Sequence, residues 1–173
     1  MKPIKFFTVI LPVLFSLQLM AQQANAQKKD SLTWYTDVTQ ANAVSKTTGK
    51  PIFALFTGSD WCIWCKRLQQ NVLAKPEFIE WAKKNVVLLE LDYPRTKQQP
   101  AELKAQNQQL LQQFKVQGFP TVWMFYLTMD EKAKQITISP LGSCGYPQDP
   151  VAGKEQVKFL DDANAILQNK AAK

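Results

Sequence analysis

Hydrophobic and polar positions change period several times along this chain, and each change marks an element. Residues 51–57 are apolar almost throughout, the pattern of a strand buried on both faces. Residues 86–92 read the same way, and residues 121–127 make a third strand, rich in aromatic and β-branched side chains. Residues 135–141 alternate in polarity, which suits a strand nearer the sheet edge. Trp34, Tyr35 and Thr36 form a short edge strand. Elsewhere the spacing is helical. Asp37 is placed to cap a helix that runs to Thr48 and stops at Gly49, with Pro51 beyond it. A second helix follows the turn Gly58-Ser59-Asp60 and reaches Leu73; Pro76 opens its continuation to Lys84. Residues 101–115 bury Leu103, Leu110, Leu111 and Phe114 on one face, and an amphipathic helix over 152–169 closes the chain. The last two strands are close enough for a hairpin, and residues 142–150 are expected to be loop. Phe53, Phe56, Val87, Leu89, Val122 and Phe125 are the expected core, joined by Phe78 and Trp81; Trp123 is read as core, with groove wall as the alternative.

Composition adds the class and the compartment. With 173 residues, 46% hydrophobic and 11% aromatic, the chain can build one domain with a full core and is not disordered. No internal repeat or second domain is visible. Lys2 and Lys5 precede a mostly apolar stretch over 6–20, and Ala24-Asn25-Ala26 supplies a small-x-small cleavage site. Residues 1–26 are therefore expected to be a signal peptide and 27–173 the mature domain. Thr8, Pro12, Ser16 and Gln18 interrupt that stretch, which is short for a membrane span; an uncleaved anchor is the alternative. The expectation is a periplasmic or otherwise exported protein without stable membrane insertion after signal cleavage. Outside the cytosol disulfides persist, and three cysteines are too few for a structural framework. Setting Lys2 and Lys5 aside lowers the net charge of +7 by two. What remains is scattered in short groups interleaved with acids, a solvated surface rather than a nucleic-acid footprint.

Cys62-Ile63-Trp64-Cys65 is the chemically informative segment, with Trp61 before it and Lys66 and Arg67 after it. Two thiols separated by two residues can close a disulfide in the first turn of a helix. A helix N-terminus also stabilises a thiolate, through its unpaired N–H groups and the macrodipole. The thiolate is the attacking species in disulfide exchange. A strand, a short turn and Cys-x-x-Cys opening a helix together suit that reaction.

These elements resemble the thioredoxin fold, and specifically the thioredoxin-like proteins of bacterial envelopes. Three matches carry the resemblance: the segment from Phe56 to Lys66 containing the dithiol, the strand at 87–92, and Gly118-Phe119-Pro120-Thr121 just ahead of the hairpin. The resemblance implies an α/β fold with a central mixed sheet of four to five strands flanked by helices, ending in a β-hairpin and a helix. It implies a thiol–disulfide oxidoreductase that acts on cysteine-containing protein substrates, is served by a redox partner protein, and uses no cofactor or metal. By the same resemblance Cys62 is the exposed nucleophile and Cys65 the more shielded resolving thiol. Pro120 is similar to the family's cis-proline facing the dithiol. Phe119 would offer its backbone to an extended substrate segment, with Thr121 beside it. Trp61 and Trp64 would put apolar surface around the thiols. The protein is read as a monomer.

Departures from the family qualify the direction of electron flow. Many thioredoxins carry a buried acid six residues before the first cysteine; here that position is Phe56. Asp60 is nearer but lies in the turn. Ile63 and Trp64 stand between the cysteines, and no histidine lies beside Cys62 to stabilise its thiolate, which favours reductase or isomerase chemistry over oxidation. Lys66 and Arg67 offset part of that loss. Cys144 is the odd thiol. It is either a third exchange partner near Cys62, open also to pairing between chains as a covalent dimer, or a small, partly buried residue in a tight turn.

Other readings of the dithiol meet obstacles. A tetrahedral zinc site wants four ligands, and the chain has no histidine and one further cysteine. Covalent haem attachment needs histidine where Lys66 stands, and a papain-like hydrolase needs a histidine base. Copper-carrying relatives of thioredoxin also usually add a histidine ligand. A purely structural Cys62–Cys65 bridge closes so short a loop that it contributes little entropy. A binding module that holds a partner between Trp61, Trp64 and Phe119 without turnover uses the same surfaces and is the alternative function.

Overall fold

The computed structural model describes residues 32–130 and 135–169. The expected signal peptide (1–26) lies outside these residues. Ten elements follow in chain order: β1 (Trp34–Tyr35), α1 (Val38–Thr48), β2 (Ile52–Thr57), α2 (Ile63–Leu68), α3 (Pro76–Asn85), β3 (Val87–Asp92), α4 (Ala101–Gln113), β4 (Thr121–Asp130), β5 (Gln135–Gly145) and α5 (Glu155–Gln168). The five strands make one mixed sheet in the order β1-β3-β2-β4-β5. β2 runs parallel to β3, from Ile52↔Val87 to Thr57↔Asp92, and antiparallel to β4, from Ile52↔Phe125 to Phe56↔Thr121.

Local chemistry accounts for most boundaries. The Asp37 carboxylate accepts from the Thr39 and Gln40 N–H groups at 2.7 and 3.1 Å, capping α1. Gly49 ends α1 in the left-handed region at φ 69°, where glycine carries no Cβ penalty. Pro76 opens α3, where its missing N–H costs nothing.

Central strand β2 is buried on both faces because its side chains alternate between two cores. Phe53 and Leu55 join Phe78, Trp81, Val122 and Phe159 on the face covered by α3 and α5. Ile52, Ala54 and Phe56 join Val87, Leu89, Phe114 and Phe125 on the face covered by α1 and α4. The expected core residues are all buried except Trp123, which is partly buried and packs 5.1 Å from the Phe114 ring.

Three local expectations change. The second helix is not continuous to Leu73: after Leu68 it widens into a π-helical turn, Gln69–Leu73, closed by Ala74 N–H donating to the Gln69 carbonyl at 2.9 Å. The closing helix starts at Glu155 rather than 152. β5 runs on to Gly145 where a loop was expected, because ten-residue β4 offers partners as far as Thr121↔Gly145, with a register shift at Met124/Phe125. Cys144 therefore sits in a strand, opposite Val122, not in a tight turn.

Candidate active site

The dithiol sits where β2 hands over to α2. Cys62 N–H donates to the Gly58 carbonyl at 2.8 Å, folding residues 58–61 into a turn. A Cβ on Gly58 would come within 2.5–2.8 Å of the Trp61 indole, so only glycine lets this ring lie against the turn. Cys62 is the N-cap of α2, with φ −80° and ψ 111°, and Cys65 N–H donates to Cys62 Sγ at 3.1 Å. The two cysteines form a disulfide, their Cα atoms 5.3 Å apart. Cys62 Sγ also lies 3.7 Å from the Phe119 carbonyl oxygen. The Phe119–Pro120 peptide is cis.

Burial does not rank the two sulfurs as expected. Cys62 is 5% exposed and Cys65 6%. Cys62 is thus no more open than its neighbour in this disulfide state, because both side chains turn inward toward each other and Cys62 meets the Phe119 loop. The exposed tip is the intervening pair, Ile63 at 59% and Trp64 at 47%.

Aromatic side chains organise the surroundings in two groups. Trp61 donates through Nε1 to the Tyr93 carbonyl at 2.9 Å, meets Phe119 edge-on at 5.8 Å, and carries the Arg95 guanidinium 3.8 Å above its ring. Phe119 in turn stacks on Tyr93 at 5.1 Å. Trp64 packs 5.1 Å from Tyr146 and lies under Arg67 at 4.5 Å. Trp64, Phe119 and Pro120 line a groove of about 920 Å³ with Cys144, Tyr146 and Ile166. Trp61 and Thr121 do not line it. The Thr121 hydroxyl donates to the Gly118 carbonyl at 2.8 Å and closes the loop on itself.

Carboxylates near the dithiol have distinct fates. Asp60 accepts from the Thr96 hydroxyl and from the Thr96 and Arg95 N–H groups at 2.6–3.1 Å, which holds its pKa well below the usual carboxylate range. It anchors a loop. Asp92 accepts from Ser59 N–H at 2.8 Å and from the Ser59 hydroxyl at 2.6 Å, tying the end of β3 to the turn before Cys62. Glu90 is different. It projects into a cleft of about 350 Å³ that Cys65 also lines, and burial raises its pKa, helped by Asp92 and opposed by Lys97.

Glu90, Tyr93 and Tyr146 were not singled out from sequence. Only Glu90 left a signal there: it is the single charged residue within the apolar run from Val86 to Leu91.

Cys144 packs against the core beneath α5. Burial, and then Asp162, push its thiol up to about 12, with Lys158 opposing. A thiol in that range stays protonated at neutral pH and is a poor nucleophile. The expected result of Cys144→Ser is a disulfide-reduction rate within about twofold of wild type. A larger loss in an insulin-reduction assay would restore Cys144 as an exchange partner.

A thioredoxin-like family profile matches residues 33–126, from β1 through half of β4. The chain belongs to the thioredoxin-like family. Among family relatives, the disulfide bond reductase DsbH of Chlamydia pneumoniae is 35% identical over 128 residues, 72% of this chain and 74% of that protein. The thioredoxin-related protein DsbJ of the same organism is 31% identical over 130 residues, covering 75% of this chain but 37% of DsbJ. A solved DsbH oxidoreductase superposes with a TM-score of 0.65 at 31% identity, over 80% of this chain and 85% of that one. Thioredoxin-like fold, family and a disulfide across Cys-x-x-Cys together make this chain a thiol–disulfide oxidoreductase.

Proposed function

We propose that this thioredoxin-like protein reduces disulfide bonds in exported proteins. The observation that carries the proposal is the Cys62–Cys65 disulfide at the head of α2, with Cys62 Sγ against the Phe119 carbonyl beside Pro120. In the reduced protein the Cys62 thiolate attacks one sulfur of a client disulfide, and the other client sulfur leaves as a thiolate. Cys65 then attacks Cys62 Sγ, the second client sulfur leaves, and the Cys62–Cys65 disulfide holds the oxidising equivalents. A redox partner protein returns two electrons to complete the cycle. The Cys65 N–H that points at Cys62 Sγ supports the role of Cys62, since the same donor stabilises a thiolate there.

The exposed pair Ile63 and Trp64 and the groove beside Phe119 and Pro120 suit an extended client segment flanking its cysteine. Cys62 must become reachable when that segment displaces the cover seen over the disulfide. Reduction rather than oxidation is supported by the name of the Chlamydia pneumoniae relative and by the lack of a histidine between the cysteines. Export is supported by the basic, apolar and small-x-small sequence of residues 1–26, and among the described residues no helix is long and apolar enough to cross a membrane.

The test is the reduction potential of the dithiol, measured by equilibration with glutathione. The expected value lies near thioredoxin's, about −270 mV; one near −120 mV would make the protein an oxidant and overturn the direction.

A further inference from the structure

Resolution by Cys65 requires that its thiol lose a proton, yet Cys65 is 6% exposed. It lines a cleft of about 350 Å³ between α2 and the sheet, together with Glu90, Thr57, Ser59, Gln69 and Gln70. That volume holds several waters, each occupying roughly 30 Å³ in the liquid, and the polar lining supplies their partners. Glu90 reaches the cleft because it pairs in register with Leu55, which also lines it, so both side chains leave the same face of the sheet.

We infer that Glu90 is the proton acceptor for Cys65, directly or through water in this cleft. The inference rests on the reductase reading above and adds the residue that moves the proton. In the resolving step the Cys65 S–H proton passes to the Glu90 carboxylate as Cys65 Sγ attacks Cys62 Sγ. The Cys62–client S–S bond breaks, and the client sulfur leaves with the electron pair. When the redox partner later reduces the disulfide, Cys65 Sγ departs as a thiolate and recovers its proton from the Glu90 carboxyl.

No other nearby carboxylate is placed to do this. Asp60 faces the Arg95–Thr96 backbone, and both oxygens of Asp92 are held by Ser59. Among the described residues none hydrogen-bonds to the Glu90 carboxylate, which leaves its lone pairs to the cleft. The charged groups facing Glu90 are Asp92 from its own strand, Lys97 from the loop after β3, and Lys66 of α2 at the cleft wall. Desolvation and Asp92 together outweigh Lys97 and raise the Glu90 pKa, which makes its carboxylate a stronger base than an exposed one.

The test uses the full reduced chain carrying Cys144→Ser, so that only the dithiol reacts with 5,5′-dithiobis(2-nitrobenzoic acid). Nitrothiobenzoate is released twice, first on attack by Cys62 and then when Cys65 resolves the mixed disulfide. Glu90→Gln is expected to slow the second release at least about tenfold at pH 7 and leave the first within about twofold. The deficit should shrink toward pH 9, where the thiol ionises unaided, and Glu90→Asp should keep part of the wild-type rate. In the parent chain the second release should fall as pH drops through the raised Glu90 pKa, and this limb should vanish in Glu90→Gln. A second release within twofold of the parent from pH 6 to 9 would overturn the inference. So would equal slowing of both releases, because Glu90 would then support the shape of the site and not the proton. Failure of the parent chain to reduce insulin, with both releases and their Glu90 dependence intact, would remove the reductase reading and leave Glu90 in place.

Discussion

Cys62→Ser abolishes disulfide turnover, by on the order of a thousandfold or more, whereas Cys65→Ala keeps the first attack and stalls with the client attached. The asymmetry follows from position. Cys62 is the N-cap whose sulfur receives the Cys65 N–H, so it is the sulfur that the helix end favours as an anion. Cys65 lines the cleft beside Glu90 and is not among the residues lining the groove where a client would lie. Insulin reduction measures the first effect. The second is read on non-reducing gels of cells expressing Cys65→Ala, as client adducts that dithiothreitol releases. Adducts formed equally by Cys62→Ala, with none from Cys65→Ala, would reverse the roles. A double Cys62→Ser, Cys65→Ser protein that retained full cellular function would favour the binding-module alternative.

Phe53→Ala destabilises the fold by about 3–5 kcal/mol and lowers the melting temperature by roughly 6–20 °C. Phe53 is fully buried in central strand β2, and its ring meets Phe78, Trp34, Trp81 and Phe159 at 5.7–6.2 Å. Truncation forfeits the transfer free energy of the ring and leaves a cavity bounded by four other aromatic side chains drawn from β1, α3 and α5, which cannot all collapse inward. Ile63→Ala, at the exposed tip beside the sulfurs, removes a residue in contact with little and is expected to leave the melting temperature within about 2 °C. Thermal unfolding followed by circular dichroism compares the two. A drop below about 3 °C for Phe53→Ala would mean that this ring cluster does not anchor the sheet.

Both predictions rest on features with different legibility in the chain. Phe53 could be placed in the core because 51–57 is continuously apolar, a pattern that survives only where both faces of a strand are covered. Its ring partners could not be paired with it, since Phe159 is more than 100 positions away. Asp37 and Gly49 bounded α1 correctly because capping depends on neighbours two to four residues distant. The end of β5 was misjudged for the opposite reason. Gly142, Ser143 and Gly145 have turn-forming preferences, but β4 presents unpaired backbone groups at that point, and satisfying them outweighs the local preference for a loop.

The dithiol, its place at a helix start and the strand before it were all written in consecutive residues, which is why the chemistry could be named from the chain alone. Which sulfur meets which surface was not. Glu90 and Cys65 lie 25 positions apart and share a cleft because β3 pairs in parallel with β2 and residues of α2 form the cleft's other wall. Cys144 had two readings in the chain; desolvation beneath α5 and the nearby Asp162 keep its thiol protonated. Local pattern reports what a segment is built to form, because periodicity and capping act over a few residues. Reactivity depends on desolvation and on charges brought in from distant segments, and those exist only once the sheet has assembled.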